Sequence, residues 1–166
     1  MTLKLISDAI ANDQIVQGAL SDLDSGLKVR LAVNKSAIPY VSATVAKTRP
    51  VVLIAATERA AQDLANSLTD FVAEENIAVF PAWETLPHER LSPSSDTVGR
   101  RMAVLRRLAH PKEVAPIKVL VTSARAFIQP IVAGLGDVPA LKISTGDDFS
   151  LEKLVTELSR LGFDRV

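Results

Sequence analysis

Residues 51–80 read VVLIAATERAAQDLANSLTDFVAEENIAVF, and this stretch decides the fold. The run 51–56 is apolar throughout, as a strand buried on both faces must be. Thr57 then offers a side-chain oxygen at a helix start. From residue 58 to about 73, Ala61, Leu64, Leu68 and Phe71 recur at helical spacing and form one inward stripe. Residues 76–80 (NIAVF) are short, apolar and β-prone. Strand, helix, strand in that order implies a parallel crossover, right-handed by default.

Working outward, the same unit recurs. Residues 27–33 (LKVRLAV) alternate and are rich in Val and Leu, so they predict a further strand. Residues 36–47 predict a helix, and 117–122 (IKVLVT) a fourth strand. Four strands separated by helices predict an α/β fold with a doubly wound parallel sheet. Residues 2–22 read as helical with a break at Asn12–Asp13. After residue 122 come a short helix at 123–128, a loop carrying Gly134 and Gly136, a short strand at 141–143, and a final helix over 152–161 capped by Ser150. The composition shifts near 130–137, where a domain boundary is expected. Phe163, Asp164, Arg165 and Val166 read like the start of a new strand, so the chain is expected to be a piece of a longer protein.

Composition removes several function classes. The 166 residues are 48% apolar and carry 19 basic and 19 acidic side chains, so net charge alone does not suit a polyanion binder. There is no cysteine and there are two separated histidines. Cysteine redox chemistry is excluded, and no metal site is expected. The N-terminal residues lack a signal-peptide pattern and no apolar run approaches the ~20 residues of a membrane span. A cytoplasmic protein without membrane contact is expected.

A nucleotide-binding domain would place a glycine-rich phosphate loop after the strand at 27–33. The chain has Asn34–Lys35–Ser36 there, with no glycine between Gly26 and Gly99. A phosphate cradle needs backbone N–H groups that only glycines allow to close around the anion. The run is therefore read as a degenerate phosphate-loop position, with Ser36 capping the next helix and Pro39 in its first turn. No acid pair ends a strand to hold magnesium. No bound cofactor and no catalytic residue are expected.

Residues 80–108 carry the unusual chemistry. Pro81, Pro87 and Pro93 keep the backbone between them out of helix interiors and central strands. That loop gathers Trp83, Glu84, His88, Glu89 and Arg90. It admits three readings: an acid/base pair of His88 with Glu84 or Glu89, a plug in which Trp83 seats the loop on the core, or a contact surface for another domain, a partner or DNA. A helix N-cap is then expected at Ser94–Ser95–Asp96, with the helix running from Thr97. Val98, Met102, Leu105 and Ala109 are its expected buried stripe, with Arg100, Arg101, Arg106 and Arg107 around it. Asp96 is placed to pair with Arg100. The arginines fit a solvated face, a phosphate contact, or an internal arginine–carboxylate pair. The candidate contact residues are thus Trp83, Glu84, His88, Arg90, Arg100, Arg101 and Arg107.

The run WETLPHERLSPSSDTVGRRMAVLRRL (83–108) resembles the bacterial transcription-repair coupling factors, the Mfd family. The likeness is strongest at Trp83, Glu84, Thr85, Leu86, Pro87, Ser92, Pro93, Asp96 and Arg101, and extends over about 29–166. Mfd begins with a module related to UvrB of nucleotide excision repair. The resemblance implies a RecA-like parallel sheet flanked by helices over 1–130, like UvrB domain 1a but without its nucleotide site. It implies the truncated beginning of a small α+β, UvrA-recruiting domain over 131–166. It further implies a non-catalytic interaction module supporting UvrA recruitment, with the main UvrA-binding residues beyond Val166. ATP and magnesium would belong to a downstream DNA-translocating motor, and RNA polymerase and DNA would be bound by other domains. Two alternatives stand beside it: a nucleotide-binding α/β enzyme domain, and a direct DNA-binding module.

Overall fold

The computed structural model describes residues 8–85, 92–138 and 141–160. Its centre is a parallel sheet of three strands, β1 (Val51–Ala55), β2 (Ile77–Phe80) and β3 (Val119–Ser123), in the order β1-β3-β2. β3 lies in the middle, with Val121 opposite both Leu53 and Val79, and Thr122 opposite both Ile54 and Phe80. After a helical stretch at 8–11, the described helices are α1 (Gln14–Asp24), α2 (Ile38–Val45), α3 (Glu58–Leu68), α4 (Ser95–Ala109), α5 (Ala124–Ile128) and α6 (Leu151–Arg160). The α/β class with a helix-flanked parallel sheet is as expected.

Side chains alternate across the sheet, so each face has its own core. On one face Val51, Leu53 and Ala55 join Ile77, Val119 and Val121 under α2 and α3, which contribute Ala43, Ala61, Ala65 and Leu68. Tyr40 and Phe71 close that layer, their ring centroids 4.4 Å apart. On the other face Ala78, Phe80 and Leu120 meet Val104 of α4 and Ala126 of α5. The helix starts use the expected chemistry. Asp13 accepts from the N–H groups of Ile15 and Val16, Thr57 from Ala60, Ser94 from Thr97 and Ser123 from Ala126. Ser150 likewise accepts from the Lys153 N–H.

Three expectations are corrected. Residues 27–33 form no strand, and Leu27 and Val33 are exposed. Alternating Val and Leu supply a β-compatible surface, but a strand exists by pairing, and β1 pairs only with β3 among the described residues. Residues 141–143 are likewise irregular. Ser36 is not a cap: it lies inside a 3₁₀ turn, Lys35–Ala37, and α2 starts at Ile38 without a side-chain cap, though Pro39 does sit in its first turn. Residues 163–166 lie outside the described residues.

Candidate functional site

The chemistry-bearing residues meet beyond the C-terminal ends of β2 and β3. Phe80 and Thr122 are register partners, and the Thr122 hydroxyl donates to the Phe80 carbonyl at 2.9 Å. The segment leaving β2, Pro81 to Glu84, therefore runs beside the start of α5. Gln129 holds it there. Its side-chain oxygen accepts from the Trp83 N–H at 2.7 Å, and its amide nitrogen donates to the Trp83 carbonyl at 3.3 Å. A side-chain amide here supplies both bonds that a neighbouring strand would have made.

Arg101 is the centre of the cluster. Its side chain is almost fully enclosed, at 2% exposure. The guanidinium lies 4.1 Å from the Phe80 ring centroid and 4.2 Å from that of Trp83, between the two aromatic residues flanking Pro81–Ala82. One terminal nitrogen donates to the Pro81 carbonyl at 2.6 Å, while the buried Nε has no hydrogen-bond partner. Burial lowers the Arg101 pKa from its usual value, and the negative Glu58 works against that shift. Glu58, in the first turn of α3, accepts from the Ala82 N–H at 3.2 Å and from the Ser123 hydroxyl. One carboxylate thus ties α3 to the ends of both β2 and β3.

Glu84 closes the base of the loop. Its carboxylate accepts from the Ser94 hydroxyl at 2.7 Å, from the Ser94 N–H at 3.4 Å and from the Thr97 hydroxyl. The hydroxyl bonds of Thr97, then Ser94, hold its pKa down at about 2, from 4.5. A carboxylate at the first turn of α4 also meets the positive end of the helix dipole. Arg125 donates to the Glu84 carbonyl at 3.3 Å.

The burial of α4 differs from the expected stripe. Thr97, Arg101 and Val104 face inward, whereas Val98 and Ala109 are exposed. Hydropathy alone turns the helix by about one residue, because it ranks an arginine outward. Here two aromatic faces and a carbonyl replace the water that Arg101 loses. Arg101 is therefore enclosed rather than presented to a partner. Trp83 is half-buried, with its ring against the Arg101 guanidinium. Arg107 is also turned to its own backbone, donating to the carbonyls of Ala115, at 3.0 Å, and Glu75. Arg100 remains half-exposed, 3.8 Å from Asp96, in the expected pair. His88, Glu89 and Arg90 lie outside the described residues, and the acid/base pairing proposed for His88 lies there too. Glu58, Thr97, Ser123, Arg125 and Gln129 had not been singled out for a site, and Ser94 only as a helix cap. They are ordinary cap and strand-end residues, and only the adjacency of β2 and β3 assembles them.

Lys35 and Ser36 line a separate open groove of about 700 Å³, with Tyr40, Ile54 and Ala55 at the end of β1, Ala56 just past it, and α3 residues including Asp63. The Ala37 N–H is bound to the Asn34 carbonyl at 2.9 Å, the Ile38 N–H to the Lys35 carbonyl, and Pro39 has none to give. Among the described residues no group of three or more metal-ligating side chains could hold an ion. None of the described helices is long and apolar enough to cross a membrane.

Comparison with known proteins matches this α/β piece to one group. The transcription-repair-coupling factors of Mycobacterium bovis and Mycobacterium tuberculosis are each 41% identical to it over 142 residues, 84% of this chain. That of Myxococcus xanthus is 28% identical over 121 residues, 69% of the chain. This chain is thus similar to one stretch of the transcription-repair-coupling factors. It spans about a tenth of their length, the match covering 11% of each mycobacterial protein and 10% of the myxobacterial one. No family model matches the chain. The stretch of this chain that is matched holds the helix-flanked parallel sheet and the strand-end cluster closed around Arg101.

Proposed function

We propose that this chain is the N-terminal, UvrB-like module of a transcription-repair coupling factor, a RecA-like α/β unit over 1–130 leading at 131 into the beginning of a UvrA-recruiting domain. It is non-catalytic. Its task is to support recruitment of UvrA in transcription-coupled nucleotide excision repair, in the cytoplasm. The observation that carries this reading is the 41% identity to transcription-repair-coupling factors across most of the chain. Two features support it. The polar groups at the strand ends are engaged with one another, as befits a scaffold. Just past the degenerate phosphate-loop position, the Ala37 and Ile38 N–H groups are taken by the carbonyls of Asn34 and Lys35.

ATP and magnesium act in the motor of the full-length protein, and RNA polymerase and DNA are met by its other domains. Within this chain Trp83, Glu84 and Arg100 are the described residues through which loop and helix could reach a partner. The main determinants for UvrA lie beyond Val166. Titration of UvrA against this chain, and against one extended by about 50–180 residues, tests the reading. UvrA should bind the extended chain far more tightly; equal affinity for both would place the determinants within 1–166. The rival enzyme reading rests on the groove beside Lys35 and Ser36. Calorimetry with ATP and magnesium should show no heat of binding, and micromolar affinity would revive that reading. Binding to duplex DNA that falls steeply as salt rises would favour the DNA-binding alternative.

A further inference from the structure

Only one face of β1 is covered among the described residues. Val51, Leu53 and Ala55 lie under α2 and α3, whereas Val52 and Ile54 alternate to the opposite face and are each about half exposed. On that face α4 packs over β2 through Val104, and α5 packs beside it through Ala126. The lane above β1 is left open. α5 touches β1 and adds the exposed Phe127 and Ile128, and the exposed Ile131 and Val132 follow. Grouped exposure of this kind marks an interaction surface, unlike apolar side chains scattered singly.

α6 carries the complementary half. Leu151, Leu154, Val155 and Leu158 recur at helical spacing and form one stripe. Neither buried cluster includes any of them, and Leu151 is 74% exposed. Ten residues of helix extend about 15 Å. The five residues of β1 extend about 16 Å, so stripe and lane match in length. Their charges match as well. Residues 47–56 and 117–133 carry Lys47, Arg49, Lys118 and Arg125 and no acid, whereas 147–159 carry Asp147, Asp148, Glu152 and Glu157 against Lys153. Lys47 and Arg49 face Asp8 and Asp24 of their own chain. Lys118 shares the alternation of Leu120, the register partner of Val52, and stands where the lane begins.

The connector leads α6 away from its own lane. It passes through a 3₁₀ turn, Leu135–Asp137, seated on α4, the helix that covers β2 rather than β1. A Cβ at Gly136 would stand 2.7 Å from the Leu105 carbonyl oxygen and 2.9 Å from the Ala109 Cβ. Arg106 of α4 donates to the Val138 carbonyl at 3.3 Å. Each copy thus holds an open lane and an open stripe, and a twofold pairing satisfies both at once. We propose that the lane over β1 is the docking surface for α6 of a second copy of this chain, exchanged reciprocally. Lane and stripe together offer each copy roughly the 800 Å² that one partner of a stable pair buries.

Sedimentation equilibrium and engineered disulfides test this. The mass should rise from one chain toward two between about 1 and 100 µM, the weak end for an interface of this size. Ile128→Glu and Leu151→Glu alter side chains 80% and 74% exposed, so each should keep its far-UV circular dichroism and remain a monomer. The chain has no cysteine, so introduced ones report position directly. When an Ile54→Cys chain is mixed with a Val155→Cys chain and oxidised, the mixed disulfide should exceed either homodisulfide about fivefold, because only that pair comes within bonding reach. A chain that stays monomeric at about 100 µM, a dimer that survives either glutamate, or homodisulfides as abundant as the mixed one overturns the proposal.

Discussion

Replacing Arg101 and Trp83, singly and together, probes whether the strand-end cluster is one cooperative unit. Arg101→Ala removes a charge-assisted bond to the Pro81 carbonyl, on the order of 1.5–3 kcal/mol. It also removes two enclosed cation–aromatic contacts, each about 1–2 kcal/mol when water is excluded. The desolvation cost relieved by losing the guanidinium offsets part of this, while the cavity and the less-compensated Glu58 add to the loss. A net destabilisation of about 3–4 kcal/mol is expected, a large share of a small domain's stability. Trp83→Ala should cost about 2–3 kcal/mol, less than a fully enclosed aromatic, because the ring is half-buried. Since the ring and the guanidinium touch, the double variant should lose about 1–2 kcal/mol less than the sum. Urea unfolding followed by far-UV circular dichroism reads all four proteins, because Trp83 is the sole tryptophan and its fluorescence disappears with the substitution. Additivity within about 0.5 kcal/mol would refute a shared stack. Arg101→Lys should recover little, since an ammonium lacks the flat face that lies between the rings.

Glu84 makes stability acid-sensitive over a defined interval. Its folded pKa, about 2, is below its ordinary 4.5, so its contribution is complete above about pH 4.5 and is lost as pH falls toward about 2. The urea midpoints of wild type and Glu84→Gln should therefore converge across that interval and differ by a constant amount above it. A difference unchanged down to pH 2 contradicts the hydroxyl bonding of the carboxylate. Gly136→Ala should destabilise by about 1–3 kcal/mol, because its Cβ meets backbone and another Cβ rather than a flexible side-chain end. Thermal unfolding checks this, and an unchanged melting temperature would mean that the turn is not seated on α4.

Much of the fold was legible in residue order. Residues 51–80 carry apolar runs of strand length around a helical stripe, and these are local properties of period and cap. They located β1, α3 and β2, as well as the start of α4 at Ser94. The pairing of Asp96 with Arg100 also follows from helical spacing alone. What failed was what depends on partners. The run 27–33 has strand composition, yet pairing is a relation between distant segments, and no local pattern states whether it is made. The inward face of α4 was misjudged for the same reason. Arg101 is buried because Phe80, Trp83 and the Pro81 carbonyl surround it, and those groups lie far from it along the chain. The insertion of β3 between β1 and β2 decided that Glu58, Phe80, Ser123 and Gln129 would meet. Sequence determined which segments could be strands and helices and to which proteins the chain is related. Only the tertiary structure decided which charges are enclosed, because desolvation and its compensation are set by neighbours in space.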